Sequence, residues 1–474
     1  MTTHSKSILK NTFFLVTGRL ISRILQFFLF IYAARRLGVN NFGIFSYGFA
    51  LVYLFSIFMD LGISTYSVQQ VSRDHSKTPQ YLGAILLSKL ILTILSILLI
   101  IATGLIMHRD ATTLWVLFIL GSCVALDNLG GSFNAVFQAH EKMHYEAIII
   151  SFSNLIMSVV GFAILYYSPG ILLFCLVYTF GATLRASSAC VWCLKKYDRP
   201  IFSLDIEFIY ELFRKGLPFA LVMIFIHIYG YIDTLILAAY CENEIVGYYN
   251  AAYRLVEAPL FIIQSLSTAI FPALSRLYVQ DKTQLAGIVQ QFFQKAVALG
   301  LSISLVVAIL SEDLIKLIYG KEYEPAAAVL PILIFSIAII MPNTICGSTI
   351  RAIDRQTISA KVTGLGAILN VVLNLILIPS FSLLGAAWAT IVTELFVLVV
   401  QVVLIWKYVG PVMNWKTLGR IVGLNAIIIG FLFISRSLGI WFQICGITIL
   451  FLPLTVLTGV ITMEELKRYL PVKL

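Results

Sequence analysis

Four arginines, Arg19, Arg23, Arg185 and Arg254, lie inside long apolar stretches of this chain. A guanidinium stays charged at any physiological pH and grips phosphate oxygens two at a time. Near the centre of a bilayer a charged side chain costs roughly 2.5 to 3.5 kcal/mol on insertion scales, so it turns toward a partner or a wet cavity. These residues therefore suit counter-ions for an anion crossing hydrocarbon. Arg19 and Arg23 stand four apart on one helix face. At 1.5 Å per residue they lie roughly 10 and 15 Å from the inner end of their span. Each arginine also has a plain structural reading. Arg19 can snorkel to headgroups and Arg23 can pair with a carboxylate. Arg254 can pair with Glu257 three residues on, and Arg185 suits lobe packing or a headgroup contact.

Acids in the same stretches are candidates for ion coupling or gating: Asp127, Asp233, Glu257 and Glu394. A carboxylate in such a place can take up and release a proton, or hold a sodium ion beside amide and carbonyl oxygens. The alternatives are a bent or close-packed helix at Asp127, a hidden salt bridge for Asp233 and an arginine partner from the other lobe for Glu394. Asp60 reads as a helix-end residue, and His227 as a packed or hydrogen-bonded one. Cys190 and Cys193 form a CxxC with no second pair or nearby histidine, so no metal site is expected. No glycine-rich phosphate loop and no nucleophile with a paired base is present, so the chain does not read as an enzyme and calls for no cofactor beyond H⁺ or Na⁺ coupling.

The elements that carry these residues follow from composition. Of 474 residues, 60% are hydrophobic and 12% charged, and mean hydropathy is +0.95. A soluble domain with so little charge would not stay dispersed. A helix needs about 20 apolar residues to cross the hydrocarbon, and about fourteen segments reach that length, from Phe13–Ala34 to Leu438–Thr462. The expected fold is an all-α polytopic membrane protein. Basic residues collect on alternate loops more than threefold over the others, which hold only Arg35, Arg36, Arg109, Lys316, Lys321 and Arg436. That bias predicts a multi-pass protein of the cytoplasmic membrane with both termini cytoplasmic. Arg35 and Arg36 run against the bias and are expected to snorkel to the outer interface. The net charge of +10 is then a matter of topology and not of nucleic-acid binding.

The chain also repeats. Ala33, Ala34, Gly43, Phe45, Leu51 and Val52 correspond to Ala238, Ala239, Gly247, Tyr249, Leu255 and Val256, and Gln138-Ala139-His140-Glu141-Lys142 to Arg351-Ala352-Ile353-Asp354-Arg355. With six spans per half, such repeats are parallel about an axis along the membrane normal. The expected organisation is an N-terminal lobe over 1–194, a cytoplasmic amphipathic linker over 195–216, and a C-terminal lobe over 217–406. Two further spans and a tail fill 407–474, and the pseudo-symmetric six-helix lobes enclose a central cavity.

Several motifs in order carry a family resemblance: RRLGVNNFGIFSYGFALVYLF followed by MDLGIS, FQAHEKM (Phe137 to Met143), and ELFRKGLP (Glu211 to Pro218). Together they resemble the polysaccharide-biosynthesis flippases, the O-antigen (Wzx-type) transporters of the MATE-like superfamily. The resemblance implies a V-shaped fold of fourteen spans that moves polyprenyl-diphosphate-linked oligosaccharide between leaflets by alternating access. Membrane lipids, and a polysaccharide polymerase or glycosyltransferases, would be its partners. Related lipid II flippases place cavity arginines on the first, second and eighth spans. This chain offers Arg19, Arg23 and Arg254 but none in its second span. Two other readings stand beside this one: an ion-coupled exporter of cationic drugs, which calls for an acid-lined cavity, and a non-transporting scaffold of polysaccharide assembly, in which the buried charges are all structural pairs.

Overall fold

The computed structural model describes residues 3–197, 199–203 and 205–460, with side chains of the first helix described from Ser22 onward. Among them no strand occurs. The helices are α1 (Thr3–Phe55), α2 (Ile63–Arg73), α3 (Thr78–Ile106), α4 (Ala111–Ala139), α5 (Met143–Tyr167), α6 (Ile171–Lys196) and α7 (Ile206–Tyr240). There follow α8 (Asn243–Gln280), α9 (Lys282–Ile309), α10 (Ser311–Ile318), α11 (Ala326–Ala352), α12 (Gln356–Tyr408), α13 (Trp415–Ile434) and α14 (Ile440–Leu457).

Twelve helices are long and apolar enough to cross a membrane among the described residues. Two of these fold back on themselves. At 53 residues, α12 would run about 80 Å if straight, more than twice a hydrocarbon core of about 30 Å. It breaks at Ser382 (φ 52°), and a Cβ on Gly385 would sit 2.4 Å from the carbonyl oxygen of Leu377, so the chain has doubled back. Likewise α1 breaks at Gly38 (φ 75°), and the rings of Phe30 and Phe42 meet at 4.9 Å across the hairpin. The turns expected near residues 35–41 and 379–382 are thus almost wholly helical, because one left-handed residue suffices to reverse the chain. Counting both arms, the spans reach fourteen.

The middle of α3 is inverted in polarity compared with a soluble helix. Along α3 the buried face carries Ser88, Lys89, Thr93, Ser96 and Gly104, while Leu90, Ile91, Ile94, Leu95, Leu98 and Leu99 are each at least half exposed. In lipid no hydrophobic force drives helices together. Small and polar residues therefore line the contacts, and large apolar ones face the acyl chains.

By contacts the chain forms two compact units, Met1–Gly247 and Tyr248–Leu474. In the first, α4 packs on α6 and α3, and α5 on α1 and α6. In the second, α11 packs on α9 and α12, and α13 on α9. The repeat is visible in the backbone. Glu141 (φ 57°) and Asp354 (φ 60°), which correspond in sequence, both take the left-handed conformation. Each is followed by the same closing bond, Lys142 N–H to Phe137 O at 2.7 Å and Arg355 N–H to Ile350 O at 3.1 Å, a Schellman-type helix stop.

The amphipathic segment predicted ahead of the seventh span is no separate helix. It forms the first turns of α7, which runs on unbroken through Pro218. Its Leu212 is buried with Ile63, Val71, Tyr81, Ala84, Ile85 and Ala139, so α2 and the start of α7 close one end of the first unit. Gly62 and Gly216 allow the approach: a Cβ on Gly62 would lie 2.3 Å from the carbonyl oxygen of Gly216.

Arg36, expected to snorkel to the outer interface, caps a neighbouring helix. Its Nε donates to Leu165 O and its Nη2 to Tyr166 O, both at 3.0 Å. These are carbonyls of the last turn of α5, which have no partner within the helix. Arg36→Ala is expected to cost about 1 kcal/mol, read as a lower thermal midpoint of the detergent-solubilised chain. An unchanged midpoint would show that lipid or water satisfies these carbonyls equally well.

Candidate functional site

Two ion pairs organise the interior of the first unit. Lys89 is the only charged residue of α3, and its side chain is 2% exposed. Its ammonium donates to Asp60 Oδ1 and to the carbonyl oxygen of Asn128, each at 2.8 Å. Asp60 is placed by the end of the first hairpin: a short 3-10 turn over Ser56–Met59 leads into Leu61 (φ 45°) and Gly62 (φ 76°), which turn the chain into α2. The Ser64 hydroxyl of α2 donates to the same Oδ1 at 2.5 Å. One buried lysine thereby ties the turn between α1 and α2 to α3 and α4.

The second pair lies one helix over. Arg185 of α6 grips Asp127 of α4 with both prongs, Nε to Oδ1 and Nη2 to Oδ2, each at 2.7 Å. Its Nη1 donates to Asn154 Oδ1 of α5 at 2.9 Å. Gly130, one turn along α4, makes room: a Cβ there would stand 2.9 Å from Cα of Ala186. Two parallel N–H···O⁻ bonds are the strongest arrangement available to this pair of groups.

Between the pairs opens a cavity of about 420 Å³, lined among others by Tyr53, Asp60, Lys89, Asp127, Asn128 and His227. Tyr53 is held in an aromatic row, 4.3 Å from Phe49 and 5.7 Å from Tyr231. His227 Nδ1 lies 2.9 Å from Met223 O. A carbonyl only accepts, so Nδ1 carries a proton and donates to it.

The structure thus joins two residues singled out separately in the sequence, Arg185 and Asp127, and makes an ion-pair partner of Asp60. Lys89 escaped the sequence reading altogether. Its signal is a lone cation in a 29-residue apolar helix, the same pattern that singles out Arg19, Arg23, Arg185 and Arg254. Asp233 is buried on α7 at 9% exposure. Arg23 lies on α1 in the same unit, with an exposed side chain. The side chain of Arg19 lies outside the described residues, as does the carboxyl tail beyond Val460.

In the second unit Arg254 pairs with Glu257, Nη1 to Oε2 at 2.6 Å, on the exposed part of α8. Glu394 is 6% exposed and accepts from Asn343 Nδ2 at 2.8 Å, which ties α12 to α11. Among the described residues no group of three or more His, Cys, Asp or Glu side chains is placed to hold a metal ion.

The family described as polysaccharide biosynthesis protein matches residues 8–278, more than half of the 474-residue chain. The chain belongs to this family. A second family, MatE, matches residues 218–376. Among relatives, the chain is 24% identical over 383 residues to the probable low-salt glycan biosynthesis flippase Agl15 of Haloferax volcanii, covering 77% of this chain and 76% of that one. It is 24% identical over 404 residues to the capsular polysaccharide biosynthesis protein CapF of Staphylococcus aureus, covering 83% and 98%. Among solved structures, the lipid II flippase MurJ in an inward closed conformation superposes with a TM-score of 0.78 over 94% of this chain and 98% of that one, at 16% identity. This polysaccharide biosynthesis family member therefore has the fold of that transporter. Its relatives are transporters, and its many apolar helices make it a multi-pass membrane protein.

Proposed function

We propose that the protein is a flippase that carries polyprenyl-diphosphate-linked oligosaccharide across the cytoplasmic membrane, by alternating access, for assembly of a surface polysaccharide. The observation that carries this reading is the likeness, over three-quarters of the chain, to a protein named as a glycan biosynthesis flippase. The chemistry of the residues supports it. A lipid diphosphate brings about two negative charges into hydrocarbon, and Arg19, Arg23 and Arg254 are cations carried by apolar spans. Glu257 takes Nη1 of Arg254, so an arriving phosphate competes with that carboxylate, and the pair is a natural gate. Arg185 differs from these three. With three donors committed to Asp127 and Asn154, it holds the first unit together beside the substrate path. Both termini lie in the cytoplasm on this reading. Asp233 and Glu394 are its candidates for H⁺ or Na⁺ coupling. Polymerase and glycosyltransferases would meet the protein at the membrane.

Cationic-drug export fits less well. The acids on the cavity wall are already neutralised by Lys89 and Arg185, so they exert little net pull on a cation.

The test is a deletion strain complemented with single variants. Arg23→Ala and Arg254→Ala, at normal protein level, are each expected to lower flipping of the lipid-linked oligosaccharide roughly tenfold or more, the effect of losing one charge-assisted hydrogen bond to phosphate. Full surface polysaccharide with both variants together would refute the phosphate assignment.

A further inference from the structure

We infer that the cavity of the first unit is a sugar subsite, which takes an uncharged pyranose unit of the carried glycan while the diphosphate is held elsewhere. This rests on the proposed flippase reading and adds to it the place and chemistry of recognition.

The argument starts from which partner of each ion pair faces the open space. Asp60 and Asp127 are 25% and 31% exposed, whereas Lys89 and Arg185 are 2% and 16%. In both pairs the carboxylate stands forward and the cation behind it. The cavity wall is consequently rich in acceptors. Asp60 Oδ2 and the two oxygens of Asp127 keep lone pairs beyond those used by Lys89, Ser64 and Arg185.

An acceptor-rich wall repels phosphate oxygens, which can only accept. It would attract either a cation or a ligand dense in hydroxyl donors. Charge decides between these two. Each carboxylate is matched by a cation at 2.7 or 2.8 Å, so the site is neutral overall, and a bare cation would enter without a net counter-charge. A sugar needs none: its hydroxyls donate to carboxylates as charge-assisted bonds without bringing charge of their own. Fixed behind by buried cations, these carboxylates hold their positions before the ligand arrives. The volume of about 420 Å³ falls in the range of small-ligand sites and has room for about one or two pyranose rings. Tyr53 supplies an apolar patch beside the acceptors, as sugar faces require.

The experiment uses the full chain in lipid nanodiscs and three probes. The first is the free oligosaccharide released by mild acid from the host's lipid-linked precursor, with neither lipid nor phosphate. The others are inorganic pyrophosphate and tetraphenylphosphonium. Titration calorimetry is expected to show the oligosaccharide binding at millimolar concentration or below, with neither other probe competing. Thr65→Trp, which fills the cavity from an exposed position on α2, should weaken that binding at least tenfold. Ala135→Phe fills it from α4 and serves in its place should Thr65→Trp not fold. No binding of the oligosaccharide, binding indifferent to the filling variants, or displacement by pyrophosphate or tetraphenylphosphonium overturns the subsite. Transport is read separately: a chain that flips the lipid-linked substrate yet ignores the free oligosaccharide sinks the subsite alone, and one that binds it yet never flips sinks the proposed function alone.

Discussion

Asp60→Ala is expected to cost about 3 to 5 kcal/mol, enough to deplete the folded protein, because it strands the ammonium of Lys89 in the interior. Only the Asn128 carbonyl would remain to it, at 2.8 Å, with 2% of the side chain exposed. The reverse change should be milder. Lys89→Met removes the charge at similar volume and leaves Asp60 with the Ser64 hydroxyl and a quarter of its surface open to the cavity. Combining Lys89→Met with Asp60→Asn replaces the pair by groups that carry no charge, and such replacements are often neutral in stability. A double-mutant cycle on thermal midpoints of the purified chain therefore ought to show strong non-additivity, with the double variant more stable than Asp60→Ala. Additive effects, or an Asp60→Ala protein as stable as the parent, would mean that water reaches Lys89 and the pair is not a structural tie.

Gly43→Ala should be nearly as damaging, at about 3 kcal/mol or more, although it adds a single methyl group. The Cβ would lie 1.8 Å from the carbonyl oxygen of Asn243, and a Cβ on Gly247 would lie 2.5 Å from that of Val39. Both clashes are with backbone, which cannot turn aside as a side chain does, so overpacking reaches the upper end of its usual range. Gly287→Ala is the control. Nothing stands within 4 Å of a Cβ there, and in the second turn of α9 alanine should stabilise by up to about 1 kcal/mol. Equal yields and midpoints for the two variants would show that α1 and the start of α8 are not in this close contact.

Gly43 and Gly247 also show how far a sequence can be read. They correspond in the internal repeat, and the repeat was legible because matched positions sit at matched turns. No pattern along the chain signals that the two residues touch each other, since a periodic pattern records what each helix needs and not which helix supplies it. The same holds for charge. Arg185 and Asp127 both stood out as ionisable groups in apolar spans, yet they lie 58 residues apart, and nothing in the intervening residues links them.

Composition and span length determined by themselves that this is an all-helical membrane protein, and matched motifs that its architecture repeats. The reason is that hydrocarbon imposes the same requirement on every crossing segment: backbone bonds closed within the helix and an apolar surface. Only the tertiary structure decided which charges are spent on one another and which face an open space. Pairing depends on the approach of helices distant in sequence, and that approach rests on single glycines and on left-handed residues whose effect is visible only in three dimensions.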